Sequence, residues 1–153
     1  MKPIRTGLLA FSLIVLPFLA GVCLADSVQW LTYEEGVGKA RQEGKKVFLH
    51  FYADWCTYCA QMDEKTFAES YVYSYLNKHF IPIKVNVDRE PRIASQYRVQ
   101  PIPDSWFLTR NTRRIAKRPG YIDLDSMILL LKYVHTDSYK KMSLPDFRAG
   151  QNP

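Results

Sequence analysis

Cys56 and Cys59 are the residues of this chain best suited to chemistry. Thr57 and Tyr58 separate them, and the apolar run Val47-Phe48-Leu49-His50-Phe51-Tyr52 precedes them. If that run is a strand and the next residues open a helix, both sulfurs sit on the helix's first turn. Residues three apart on a helix are neighbours, so a disulfide between them is geometrically allowed. A helix N-terminus offers unpaired N–H groups and a partial positive charge. That field favours a thiolate and lowers the pKa of the first cysteine below the free value of about 8.5. The pair then forms a redox switch in which Cys56 attacks and Cys59 resolves.

Other readings of C-x-x-C fare less well. Attachment of a c-type haem needs histidine next, and Ala60 follows instead. A structural zinc site needs four ligands, usually a second Cys/His pair. The three histidines, His50, His79 and His135, are scattered without ligand spacing. A purely structural disulfide would close a tiny loop and stabilise little. The reading from a different class is a metal-handling module that holds a soft ion such as Cu(I) through Cys56, Cys59 and His50. The redox reading itself assigns no metal.

The 153 residues suffice for one domain with its own core. Residues 1–25 are set apart. Lys2 and Arg5 form a basic start, Gly7 to Ala20 is apolar, and Cys23-Leu24-Ala25 can serve as a cleavage site. This reads as a secretory signal peptide, with an uncleaved anchor as the alternative. Residues 26–153 then form a single domain with a C-terminal tail from about 136. Cleavage removes Cys23, so both remaining cysteines belong to one motif. An exported chain of that kind has no disulfide framework, and its cysteines serve function rather than architecture. Loss of Lys2 and Arg5 lowers the net charge of +6 to about +4. That is ordinary for solubility and gives no reason to expect nucleic acid.

The elements that must position the cysteines follow in order. Thr32 and Glu35 fit a capping box for a helix ending near Gly44. The near-continuous apolar strand of 47–52 suits burial on both faces. A helix carries the cysteines on to Glu69 with Met62 and Phe67 inward, and a short helix over 70–76 follows, although its tyrosines would also suit a strand. A strand from Ile81 to Val87 precedes a helix opened by Pro91. Pro101 and Pro103 interrupt the chain before a strand at Trp106 to Leu108. Arg114 to Lys117 pairs back as a hairpin. Asp123 or Asp125 caps a last helix with Met127, Leu130, Leu131 and Val134 inward. In the tail, Tyr139, Leu144 and Phe147 are candidates to dock on the body. Strands alternating with helices, then a hairpin, give an α/β domain: a mixed central β-sheet with helices on both faces. Arg110, Arg113, Arg114, Lys117 and Arg118 are expected to form a solvated edge.

From about Trp30 to Val134 the chain resembles the thioredoxin fold. The residues that carry the resemblance are Phe51-Tyr52-Ala53-Asp54-Trp55-Cys56-Thr57-Tyr58-Cys59, Val85-Asn86-Val87-Asp88, Val99-Gln100-Pro101-Ile102-Pro103 and Gly120-Tyr121. The first run and Phe67 look most like the C-terminal, periplasmic thioredoxin domain of the transmembrane reductant DsbD and its free-standing relatives. The resemblance implies that Cys56 is the exposed nucleophile and Cys59 the buried resolving thiol. It implies that Trp55 covers the active-site face and that Pro103 is a cis-proline against the disulfide. Ile102 before it resembles reducing members, and its backbone would pair with an extended substrate strand.

Three departures bear on chemistry. His50 stands where many thioredoxins place a buried aspartate, and as a neutral imidazole it is a candidate base for Cys59 or a plain core histidine. Asp104 stands where threonine is usual and is expected to face solvent. Thr57-Tyr58 replaces Gly-Pro, and Tyr58 resembles the aromatic of some isomerases and glutaredoxins. The expected protein is a periplasmic, monomeric thiol:disulfide oxidoreductase that mainly reduces protein disulfides, apocytochromes c among the candidates. No flavin or nicotinamide motif is present, so no cofactor is expected and reducing power would come from a membrane thiol-reductant. An oxidase or isomerase on the same fold is the alternative enzyme.

Overall fold

A computed structural model describes residues 26–151. The signal-peptide reading falls on residues 1–25, outside the described residues, as do 152 and 153. Helix α1 (Tyr33–Glu43) starts at the expected capping box and ends at Gly44, whose φ of 70° is the left-handed conformation that glycine adopts freely. Strand β1 (Lys46–Tyr52) leads to helix α2 (Thr57–Met62), which continues as a π-helical turn over Asp63–Phe67. Helix α3 (Ser70–His79) and strand β2 (Phe80–Asn86) follow. Then come helix α4 (Pro91–Tyr97), strands β3 (Asp104–Leu108) and β4 (Arg114–Pro119), and helix α5 (Leu124–His135), capped by Asp123.

The sheet order is β2-β1-β3-β4. β1 pairs parallel with β2 and antiparallel with β3, and β3 pairs antiparallel with β4. This is the mixed sheet of a thioredoxin fold. β1 lies between two strands, so its backbone bonds on both sides and its side chains are buried on both faces. Successive residues alternate. Val47, Leu49 and Phe51 join Ala40, Ile83, Tyr97 and Trp106 on the α1/α4 face. Phe48 joins Met62, Phe67, Leu76, Phe107 and Leu131 on the α3/α5 face.

One residue departs from expectation. Asp104, expected in solvent, is fully buried. β3 begins directly after Pro103, and pairing with Phe51 carries Asp104 into the sheet. Alternation puts it on Trp106's face, where Trp106 Nε1 donates to Oδ2 at 3.2 Å and Lys117 Nζ lies at 3.1 Å. The basic edge is otherwise exposed as expected, at Arg110, Arg113, Arg114 and Arg118. Lys117 serves Asp104, and the Arg114 guanidinium lies over Tyr97 and Trp106 at 5.5 and 4.9 Å. The tail forms a further helix, α6 (Leu144–Ala149), opened by Ser143 and Pro145. The expected docking of the tail is seen: Phe147 packs on Tyr133, with ring centroids 5.3 Å apart, and Tyr139 and Leu144 pack against the α3/α5 core.

Gly36 fixes how closely α1 approaches β2. A Cβ there would fall 2.3 Å from Ile83 Cγ1. Overpacking of this kind costs about 1–3 kcal/mol. Gly36→Ala should lower the urea midpoint accordingly with m unchanged; an unchanged midpoint would show that α1 rides freely on the sheet.

Candidate active site

β1 stops at Tyr52, and the chain turns through Ala53, Asp54 and Trp55. The Cys56 N–H donates to the Ala53 carbonyl at 3.1 Å. Cys56 is the N-cap of α2 rather than a residue of its first turn, with extended φ and ψ of −83° and 104°. Cys59 lies within that turn, and its N–H donates to the Cys56 sulfur at 3.2 Å. The two sulfurs are bonded, with Cα atoms 5.2 Å apart. After reduction the same N–H would favour a Cys56 thiolate, since a hydrogen bond to the charged form stabilises it. Cys56 keeps 7% of its surface exposed and Cys59 only 2%, so an approaching substrate meets Cys56 first.

Tyr52, Ala53, Val87 and Ile102 pack around the pair. Trp55, Val87, Val99, Gln100, Pro101 and Ile102 line an open, mostly apolar groove of about 330 Å³. Trp55 is 70% exposed, yet its indole Nε1 is tied to Asp88 Oδ2 at 2.8 Å. Tyr58 is exposed on α2. The Ile102–Pro103 peptide bond is cis, and so is Gln100–Pro101. Pro103 is buried, and its carbonyl accepts from Gly120 N–H at 2.7 Å. The Gly120-Tyr121 turn thus secures the proline loop from behind.

The polar groups near the pair are engaged elsewhere. Asp54 accepts from Arg89 Nη2 at 2.7 Å and from Asn86 Nδ2 at 3.1 Å. Lys84 donates to both oxygens of Asp63, at 2.7 and 2.8 Å, with its ammonium 4.6 Å above the Tyr52 ring. Burial raises the Asp104 pKa against the pull of Lys117 and Trp106.

His50 is fully buried among Trp30, Phe48 and Phe67. Its Nδ1 meets Ser105 Oγ at 3.0 Å, and its Nε2 has no hydrogen-bond partner among the described residues. Neither nitrogen therefore bonds a sulfur. Burial, helped by the Lys84 charge, pulls its pKa down to about 3. An imidazole of that pKa is neutral at working pH and a poor proton acceptor, so the bonding favours a packing role over a base for Cys59. Among the described residues no group of three or more His, Cys, Asp or Glu is placed to hold a metal, so Cys56, Cys59 and His50 do not form a ligand set.

The sequence singled out the cysteines, Trp55, Ile102 and Pro103, but not the groups that surround them. Asp88 was a strand end with no visible partner. Val99 and Pro101 gave no separate signal, because the groove arises only when the proline loop folds beside Trp55.

The sequence pattern of the thioredoxin-like domain family matches residues 33–135. The chain belongs to that family. Among its relatives, thiol:disulfide interchange protein DsbD of Vibrio vulnificus is 30% identical over 95 residues, covering 58% of this chain and 16% of DsbD. Disulfide bond reductase DsbH of Chlamydia pneumoniae is 22% identical over 105 residues, covering 61% of this chain and 63% of DsbH. The solution structure of a Thermus thermophilus thioredoxin superposes with a TM-score of 0.65 at 26% identity, covering 71% of this chain and 87% of that one. Thioredoxin-like family membership together with the Cys56–Cys59 disulfide makes the protein a thiol:disulfide oxidoreductase.

The neutral, buried His50 has a consequence for stability. The unfolded chain protonates it near the ordinary value of about 6.5, whereas the folded chain resists until about 3. Between these values the unfolded state holds the extra proton, so stability falls as pH falls, by up to about 1.4 kcal/mol per pH unit. Comparing urea midpoints at pH 7 and 4.5, His50→Leu should show a shallower loss than the parent. Equal losses would mean that His50 protonates freely in the fold.

Proposed function

We propose that the protein is an exported, periplasmic oxidoreductase that mainly reduces protein disulfides. The observation that carries this reading is Cys56, the less buried cysteine of the pair, packed with Val87 and Ile102, which also line the groove beside Trp55. In the dithiol form, the Cys56 thiolate attacks one sulfur of a substrate disulfide. A mixed disulfide forms, and the substrate's other sulfur leaves as a thiolate and takes up a proton. Cys59 gives its proton to water and attacks the Cys56 sulfur, which releases the second substrate thiolate to take up a proton in turn. Two electrons have moved to the substrate, and the Cys56–Cys59 disulfide remains. Ile102 offers backbone groups to an extended substrate segment, Pro103 anchors that loop through its carbonyl bond from Gly120, and the exposed Trp55 and Tyr58 provide apolar cover.

The direction rests on Ile102 ahead of Pro103, as in reducing thioredoxins, and on relatives named as a disulfide reductase and an interchange protein. Export rests on the signal-peptide composition of residues 1–25. Each turnover leaves the enzyme oxidised, so a membrane thiol-reductant is the proposed electron source. The protein works as a monomer with no cofactor of its own.

Cys59→Ser leaves the mixed disulfide unresolved. Expressed in cells with the native leader, it should accumulate adducts to exported proteins on non-reducing gels, which disappear with dithiothreitol or when Cys56 is also changed to Ser. Adducts that persist without Cys56, or none at all, would contradict the assignment of nucleophile and resolving thiol.

A further inference from the structure

His79 and His135 lie far apart in sequence and in no ligand motif, yet the fold stacks them. α3 ends at His79 and α5 ends at His135. The two helices pack together on one face of the sheet, which brings their C-terminal ends side by side. The imidazole centroids are 4.0 Å apart, with planes inclined by 32°. Tyr75, one turn before His79, braces both rings. Its hydroxyl meets His135 Nδ1 at 2.8 Å, and its ring centroid lies 4.5 Å from that of His79. With His135 Nδ1–H donating to the tyrosine oxygen, Nε2 carries the free lone pair and is left for another partner. Both histidines are part-exposed, so solvent and small ions reach them.

The surroundings suit a cation better than the nearby lysines first indicate. The last carbonyls of a helix lack intrahelical partners and carry partial negative charge, and here two such ends meet. Of the three lysines whose charge reaches the pair, Lys46 is engaged by the His135 carbonyl at 3.2 Å and by Asp137 at 3.1 Å, Lys45 pairs with Glu43 at 2.8 Å, and Lys78 is exposed on α3. Imidazole nitrogen is a preferred ligand of Zn2+, Cu2+ and Ni2+, whereas Mg2+ and Ca2+ take oxygen. An outer partner that fixes one ring nitrogen while the other ligates is the usual arrangement of a metal-binding histidine. Tyr75 is placed to fill that part.

We propose that His79 and His135 form a two-histidine site for a borderline divalent cation such as Zn2+, braced by Tyr75. Among the described residues no third His, Cys, Asp or Glu groups with them. Water therefore completes the coordination, and the ion exchanges readily, unlike one closed in by four protein ligands. The site is remote from the redox pair. Lys46, which bonds the His135 carbonyl, begins β1, and the cysteines follow its other end, roughly 20 Å away at the rise of a strand.

Zinc titration of the full chain by calorimetry tests this, with the Cys56–Cys59 disulfide intact so that those thiols cannot compete. Histidine nitrogen shifts would be followed by NMR in parallel. One saturable equivalent is expected, with shifts at His79 and His135 and none at His50. His79→Gln and His135→Gln should each weaken binding by about tenfold or more, and Tyr75→Phe should weaken it by about tenfold. All three variants should retain disulfide reductase activity, which shows that they fold. Absence of saturable zinc uptake, or uptake that survives both histidine substitutions, would overturn the proposal.

Discussion

The pairing of β1 on both sides is the constraint from which the site follows. A strand held by β2 and β3 and buried on both faces cannot shift along its axis without flipping side chains out of the core. Its end at Tyr52 is therefore a fixed point. The turn of Ala53 to Trp55 and the N-cap at Cys56 inherit that position. β3 antiparallel to β1 delivers the Ile102–Pro103 loop to the same end of the sheet. The nucleophile and the edge that would receive a substrate strand are thus placed by two ladders sharing one central strand, not by the loops themselves.

Polar groups buried near this junction are mostly bonded in pairs across strands. His50 and Ser105 face each other across β1 and β3. Asp104 bridges to Lys117 of β4. An unpaired polar group at such depth is costly, so these contacts restrict the sheet to one register. Among the described residues, the Cys59 N–H is the one hydrogen-bond donor to either sulfur. Control of the Cys56 thiolate thereby falls to the helix start.

Much of this was legible in the sequence. The capping box at Thr32, the glycine at 44, the apolar strand before Cys56 and the Asp123 cap are local signals, and local physics decides them. The cysteine pair was legible because its spacing and its strand-then-helix setting coincide. What escaped depends on contacts between distant segments. Asp104 read as a surface acid because the proline before it argued against a strand, whereas its burial is set by pairing with β1 and by Lys117 on the next strand. Arg114 is exposed as read, but its place over Tyr97 and Trp106 was hidden because those rings come from other elements. His79 and His135 read as scattered because only the packing of α3 on α5 brings them together. Helix α6 is short, and its contact with Tyr133 is tertiary.

Whether the Cys56–Cys59 pair donates or accepts electrons is set by its reduction potential. Equilibrating the pair with glutathione and dithiothreitol buffers gives its reduction potential directly. A value towards about −270 mV, in the range of thioredoxin, is predicted. A value towards about −120 mV, that of a strong disulfide oxidant, would contradict the account and reverse the direction assigned from Ile102.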